Sequence, residues 1–375
     1  MSELDVVGDA VERLEWAERD EEATPVKAWR QVTRRAALMG GAAGAAAFAL
    51  NACGGDNDNA TGASGGGANA IFGKQPKMKF VFVNHVTTNP FFVPTKYGAE
   101  DACKLLGCSY QWTGSETSNV NEMVNAFNSA ISAKADGIAV ALVDQKAFNG
   151  PTDKALAAGI PVLGYNADAA GNGRLCYIGQ DLFVSGQEMG KHIVDLVGSG
   201  DVALFIATPG SLNIQPRIDG AIDTLKKAGG GVTYHTIATG AALPHELSTI
   251  DAYFQGHKDT KGMFAVDAGS TQGIAQVMQK HGLAGKVKAG GYDLLDPTIK
   301  LLADGQIDFT IDQQPYLQGF LPVLELYLYQ ASGTLSGLGD VNTGLKFLDK
   351  ETVKPYLSTK SRYEGNSKTA GVTSS

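Results

Sequence analysis

From Met78 onward the chain switches between two patterns of apolar and polar positions. Short runs such as 80–83 and 137–143 are apolar at nearly every position, as in a strand covered on both faces of a sheet. Between such runs, apolar residues recur every three or four positions. Val120, Met123, Val124, Phe127 and Ile131 share one helical face, with Asn119 as N-cap and Glu122 three residues on. The pattern predicts further strands over 160–165, 176–179 and 202–207 and helices over 147–158, 184–197 and 216–228, with the alternation running on to Phe309. Strands separated by helices imply right-handed βαβ units and a doubly wound, Rossmann-like α/β fold with parallel sheets.

The plan occurs twice. Residues 135–144 are echoed by 260–267, and Leu163-Gly164-Tyr165-Asn166 by Gly290-Gly291-Tyr292-Asp293. Each half runs helix, glycine, apolar strand, Asp, helix, apolar strand, then Tyr followed by Asn or Asp, so two similar lobes are predicted. Asp144, Asn166, Asp267 and Asp293 therefore stand at strand ends, where open α/β sheets hold ligands. Asp144 and Asp267 have a second reading, as caps of the helices that follow. Asp293 is expected to be left for a ligand, because Asp296 stands nearer the helix led by Pro297. The loop Asn89-Pro90-Phe91-Phe92 leaves the strand over 80–83, and its phenylalanines are either a wall for a ligand or cover for the sheet edge.

At 375 residues the chain has room for two domains of about 150 residues each. Its 43% hydrophobic and 19% charged content is that of a globular chain with a large core. A net charge of −8 disfavours the clustered basic surface of a nucleic-acid binder. Residues 1–53 stand apart. Arg34-Arg35 leads into an Ala/Gly-rich apolar run over 36–50, too short to span a bilayer comfortably, which ends in Leu50-Asn51-Ala52-Cys53. The stretch resembles a twin-arginine export signal joined to a lipoprotein box, with Cys53 as the lipidated first residue of the mature chain. Asn51 departs from the small or aliphatic residue usual at that position. Loss of residues 1–52 removes nine acidic and six basic side chains and leaves a charge of −5. Residues 54–77, rich in Gly, Asn, Asp, Ser and Ala, read as a flexible tether. Cys103 and Cys108 either pair in an oxidising compartment or remain small buried thiols, and Cys176 is placed in the core. There is no G-x-S-x-G elbow between an apolar strand and a helix, no H-E-x-x-H and no paired-Cys zinc motif, and Pro244-His245-Glu246-Leu247 reads as a helix start only. Neither a cofactor nor a metal is expected, and the chain is expected not to be an enzyme.

Taken in order, Asn89-Pro90-Phe91-Phe92, Gly159-Ile160-Pro161-Val162, the strand over 201–207, Gly290-Gly291-Tyr292-Asp293 and Ile311-Asp312-Gln313-Gln314-Pro315 resemble the ribose-binding-protein family. These are the type I periplasmic sugar-binding proteins of ABC importers, and the resemblance spans about 78–350. It implies that Phe91 and Phe92 pack on a sugar ring, that Asn89 bonds nearby, and that Arg217 donates to hydroxyls and the ring oxygen. It further implies that Asp267, Asp293 and Gln313 supply polar groups from the second lobe and the hinge. Where ribose binders carry Asn at the third strand end and Asp-Arg after the fourth, this chain has Ala141 and Asn166-Ala167, which argues against ribose itself. Asp168 and His85 are the candidates to compensate, although a lone strand-end His is also readily satisfied locally.

Chain order suggests hinge crossings near Gln180-Asp181, Gln313 and Thr343. These give a first lobe of 78–181 plus 314–343, a second of 182–313 plus 344–360, and a disordered tail over 361–375. A sugar presents an apolar CH face and a fringe of hydroxyls, which calls for aromatic stacking together with Asp, Asn, Arg and Gln. An Arg facing an acidic pair suits a neutral sugar or polyol better than a phosphate, for which no phosphate loop is present. The expectation is a monomeric, exported receptor, lipid-anchored at the outer face of the cytoplasmic membrane or in the periplasm, that hands its cargo to an ABC permease. Two alternatives stay open: a receptor for an autoinducer-like furanone, and a binding protein serving a chemoreceptor or sensor kinase. A repressor's sugar-sensing domain would need a basic helix-turn-helix in place of the leader.

Overall fold

Two sheets of six strands carry the chain. The computed structural model describes residues 72–333, 338–358, 361–365 and 367–369; the leader, Cys53 and all but the last residues of the tether lie outside the described residues. The first sheet runs β2-β1-β3-β4-β5-β11, with β1 (Lys79–Asn84), β2 (Ser109–Gly114), β3 (Gly137–Val140), β4 (Val162–Tyr165), β5 (Tyr177–Gly179) and β11 (Val341–Asn342). The second runs β7-β6-β8-β9-β10-β12, with β6 (Gly200–Ile206), β7 (Val232–Ala238), β8 (Gly262–Ala265), β9 (Lys288–Tyr292), β10 (Phe309–Asp312) and β12 (Lys346–Leu348). The first five strands of each sheet therefore share one order. The glycines of the sequence echo open equivalent strands, Gly137 pairing with Phe80 of β1 and Gly262 with Val202 of β6. Only the edge strand β12 departs from the parallel plan, running antiparallel to β10.

Helices α1 (Val93–Leu106), α2 (Val120–Ser132), α3 (Asn149–Ala157) and α9 (Leu317–Ser332) pack with the first sheet. Helices α4 (Leu182–Val197), α5 (Gln215–Lys227), α6 (Leu243–Gly256), α7 (Ala268–His281), α8 (Asp296–Ala303) and α10 (Lys354–Ser358) pack with the second. Both faces of each sheet are covered, which is why the strands are continuous apolar runs. Alternate residues of β8 show this directly: Met263 and Ala265 face a core with Ile250 and Ile274, whereas Phe264 faces one with Leu204 and Ile218. The chain passes between the sheets after β5, after β10 and after β11.

Several expectations are refined. The strand predicted over 137–143 ends at Val140, because the Leu142 amide turns to the Ala167 carbonyl. Asn119 caps α2 by accepting from the Asn121 and Glu122 amides, but Glu122 does not close a capping box. Its carboxylate instead accepts from Ser115 Oγ at 2.6 Å, and that same Oγ accepts from the Asn119 amide. Asp296 is not the cap of α8; it stands inside the helix, and Leu295 occupies the cap position with no side-chain bond. Cys103, Cys108 and Cys176 are free thiols.

The tail expected to be disordered from Ser361 is ordered where it is described. Arg362 is 8% exposed and pairs with Glu100 at 2.7 Å and Asp101 at 3.0 Å while lying 4.2 Å over the Tyr97 ring. Tyr363 meets Tyr316 edge to face at 4.6 Å. A low apolar content hid this because charge pairing and aromatic contact, not area, hold the segment.

Candidate functional site

In both sheets the strand order reverses between the first and third strands, and ligands of such folds sit outside the strand ends at that point. In the first sheet this is the exit of β1. Asn84, its last residue, donates to the Tyr165 hydroxyl at 2.8 Å and accepts from the Val86 amide at 2.9 Å, which fixes the path of His85 and the following loop. Asn89 then caps a single 3₁₀ turn, Pro90–Phe92, accepting from the Phe91 amide at 2.9 Å. Phe91 and Phe92 meet edge to face at 4.7 Å, and Phe92 meets the His85 ring at 5.3 Å. Both phenylalanines belong to the core and both line the cavity described below.

The matching point of the second sheet is built by Asp267. It caps α7 through the Ser270 amide at 2.8 Å and accepts from the Ala207 amide at 2.9 Å, tying the ends of β6 and β8 together. Burial raises its carboxyl against those bonds. Arg217, in the first turn of α5, is 2% exposed. It donates to the Val266 carbonyl at 2.9 Å and to Gln180 Oε1 at 3.3 Å, and its guanidinium lies 4.1 Å from the centre of the Tyr292 ring. Its backbone is seated by a close helix crossing: a Cβ on Gly186 of α4 would fall 2.1 Å from the Arg217 carbonyl oxygen.

Asn166 and Asp293, the paired ends of the sequence echo, are paired in space as well. Each follows a fully buried tyrosine, and each takes a left-handed backbone, φ +63° and +76°. Asn166 donates to Gln318 Oε1 at 3.0 Å, Gln318 donates to Gln313 Oε1 at 3.1 Å, and Gln313 donates to Asp293 Oδ1 at 2.7 Å. Burial pushes the Asp293 carboxyl up to about 7, with Arg217 opposing the shift. Burial also lowers His85 to about 4, so the imidazole is neutral at pH 7.

Nine of the ten sequence candidates line one cavity of about 50 Å³: His85, Asn89, Phe91, Phe92 and Asn166 from the first sheet, Arg217, Asp267 and Asp293 from the second, and Gln313 between them. Asp168 is not brought there; it forms a two-point ion pair with Arg174 and faces a different groove. Asp144 also stays outside; it accepts from the Lys146 and Ala147 amides of the turn ahead of α3 and does not cap that helix, whose cap position is Phe148.

Sequence reasoning missed Asn213, whose amide meets His85 Nε2 at 3.1 Å across the two lobes. It also missed Gln180 and Gln318, which hold Arg217 and Asn166. Beside Asn213, the Leu212 amide donates to the Val143 carbonyl at 2.9 Å, so the lobes touch at this edge of the cleft. No group of three or more His, Cys, Asp or Glu placed to hold a metal occurs among the described residues. The arrangement offers aromatic faces, one guanidinium and acceptor carboxyls around one cavity, the means to hold a neutral polyhydroxylated ring.

Comparison with known proteins shows the family. A family model described as a periplasmic binding protein domain matches residues 80–333. The xylose/arabinose-binding protein XylF of Sulfolobus acidocaldarius is 54% identical over 310 residues, which cover 78% of this chain and 76% of that protein. A solute-binding protein of an ABC transporter from Burkholderia graminis, solved with D-arabinose, superposes with a TM-score of 0.70 at 28% identity, covering 74% of this chain and 97% of that one. A carbohydrate transporter from Acidothermus cellulolyticus, solved with myo-inositol, gives 0.68 at 27% identity, covering 78% and 100%. Matched along most of its length by fold, by family pattern and by a relative identical at more than half of the aligned positions, the chain belongs to the periplasmic binding proteins, a family that binds sugars rather than transforming them.

Proposed function

We propose that this chain captures a neutral sugar or polyol between its lobes and delivers it to the permease of an ABC transporter. The observation that carries the reading is the convergence on one cavity of the Phe91–Phe92 wall, the Arg217 guanidinium and the Asp267 and Asp293 carboxyls. In this reading the phenylalanines cover the CH face of the ring, Arg217 donates to its oxygens, and Asp267, Asp293 and Asn89 accept from or donate to its hydroxyls. A pentose is the first candidate, because the names of XylF and of the B. graminis structure both carry arabinose. The lobes, 78–181 plus 314–343 and 182–313 plus 344–360, close about the crossings at Gln180, Gln313 and Thr343 and so present a permease with a ligand-dependent surface. Export through the leader and lipidation at Cys53 would hold a monomeric receptor at the outer face of the membrane.

The test is a thermal-shift and calorimetric screen against pentoses, hexoses, polyols and furanones. A ligand that binds only the folded state adds RT ln(1 + [L]/Kd), about 4 kcal/mol at a thousandfold excess over Kd. A sugar or polyol that raises the melting point supports the reading. A melting point unmoved by all of them but raised by a furanone would overturn it.

A further inference from the structure

The cavity that gathers the sugar-contacting candidates adjoins a second one. The two share His85, Asn89, Asn213, Ile214, Asp267 and Ala268, and the second, of about 50 Å³, extends from these residues to Glu246 and Gly269. Glu246 stands in the first turn of α6 and is only 3% exposed, yet its Oε2 has no hydrogen-bond partner. His85, 6% exposed, has none at Nδ1. Orphaned groups this deep are costly, so two of them lining one chamber call for something that binds there. The wall is shaped for the carboxyl as well: a Cβ on Gly269 would fall 1.7 Å from Glu246 Oε2.

The chemistry of the two groups narrows what fits. Burial, followed by the charge on Asp267, pushes Glu246 up to about 9, and burial lowers His85 to about 4, so both are uncharged at pH 7. His85 Nε2 is engaged by the Asn213 amide, which leaves the ring proton on Nδ1. The chamber is thus lined by a neutral carboxyl and by an imidazole whose N–H has no partner, with Val86, Ile214, Ala241 and Ala268 as apolar walls. A hydroxyl both accepts and donates, and on a methylene it would also fill apolar space. An ionised substituent would meet no compensating cation here.

We infer that this chamber takes the exocyclic hydroxymethyl group of a hexose, so that the site accepts a pentose and also the hexose built on the same ring. The inference rests on the sugar-binding reading above. Three pairs of sugars differ only in that group: D-xylose and D-glucose, L-arabinose and D-galactose, D-ribose and D-allose. Glu246 is then a specificity-determining residue, setting the ratio of hexose to pentose affinity.

Isothermal titration of the purified full chain with all six sugars tests this. In at least one pair both members are expected to bind, the hexose within about tenfold of its pentose, and Glu246→Leu is expected to lower that ratio by about tenfold or more, the size of discrimination a lost hydroxyl contact gives. If in every pair whose pentose binds the hexose is weaker by more than about tenfold, the inference is overturned and the sugar-binding reading stands. A smaller change in Glu246→Leu overturns the role of Glu246; should that variant fail to fold, the wild-type ratio decides alone. A chain that binds no member of any pair loses the inference together with the reading beneath it.

Discussion

Gln313 Nε2 donates to Asp293 Oδ1 at 2.7 Å, joining a carboxyl of the cleft to the residue at which the chain leaves the second sheet. The bond is the last of three that run in one sense, from Asn166 through Gln318 and Gln313 to Asp293. All four side chains are buried, and Thr343 of the third crossing joins them by donating to the Gln313 carbonyl at 2.7 Å. In a low dielectric such a chain is worth keeping whole, because a broken link leaves groups that water cannot reach.

Gln318→Leu would orphan the Asn166 amide and the acceptors on Gln313 and Thr343 that Gln318 serves. The expected loss is about 2–4 kcal/mol of stability, read as a lower urea midpoint with an unchanged slope. A midpoint within experimental error of wild type would show that the relay carries no stability.

Arg217→Met keeps the bulk that seats against Tyr292 and removes the charge that opposes the upward shift of Asp293. Affinity for the cognate sugar is expected to fall by about a hundredfold or more, since a buried charged donor is lost. The Asp293 carboxyl should in turn titrate above about 7, a change visible in the NMR shift of its side-chain carbon. Retained affinity would remove Arg217 from the site.

Stability should fall as pH rises from neutral toward 9. Glu246 is raised to about 9, so between its unfolded value and that point the folded chain holds a proton that the unfolded chain has released, and raising the pH favours unfolding. Asp293 acts in the same sense only up to about 7. His85, lowered to about 4, acts in the opposite sense and only below its unfolded value of 6.5. The melting point of wild type is therefore expected to drop across that window and that of Glu246→Gln to drop less; equal slopes would contradict the assignment.

Arg362→Ala should free the described end of the chain from α1, leaving Glu100 and Asp101 without their shared cation. Charge-assisted bonds of this kind contribute about 1.5–3 kcal/mol, reduced here because Glu100 is partly exposed. Limited proteolysis is the direct measurement: the variant should be trimmed to near Ser358 before wild type is. Equal trimming rates would place the segment's hold elsewhere.

Much of the frame was legible because its signals are periodic. Runs buried on both faces gave β1, β3 and β8, and the repeated Gly-Tyr-Asn and Gly-Tyr-Asp gave two strand ends that the fold sets in equivalent places. What escaped has no period. Asn213 lies in a loop, and Gln318 is a polar residue in a helix whose neighbours are mostly apolar. Glu246 was read as the start of a helix, which is true of its backbone and silent about its buried carboxyl. Asp168 was placed at a ligand because it follows Asn166, but Arg174, six residues on, claims it first.

The left-handed backbone at Asn166 and Asp293 bears on how this sugar-binding fold can change its ligand. At φ +63° and +76° the conformation is readily taken by Gly, Asn and Asp and resisted by β-branched or bulky residues. Natural drift at these two positions is thus confined to a three-letter alphabet, one amide, one acid and one blank. A lineage shifting toward a new sugar has little room to move there. Divergence would be concentrated at Asn89, Asn213 and Glu246, whose backbones carry no such restriction, while Asn166 and Asp293 stay as fixed points of the cleft.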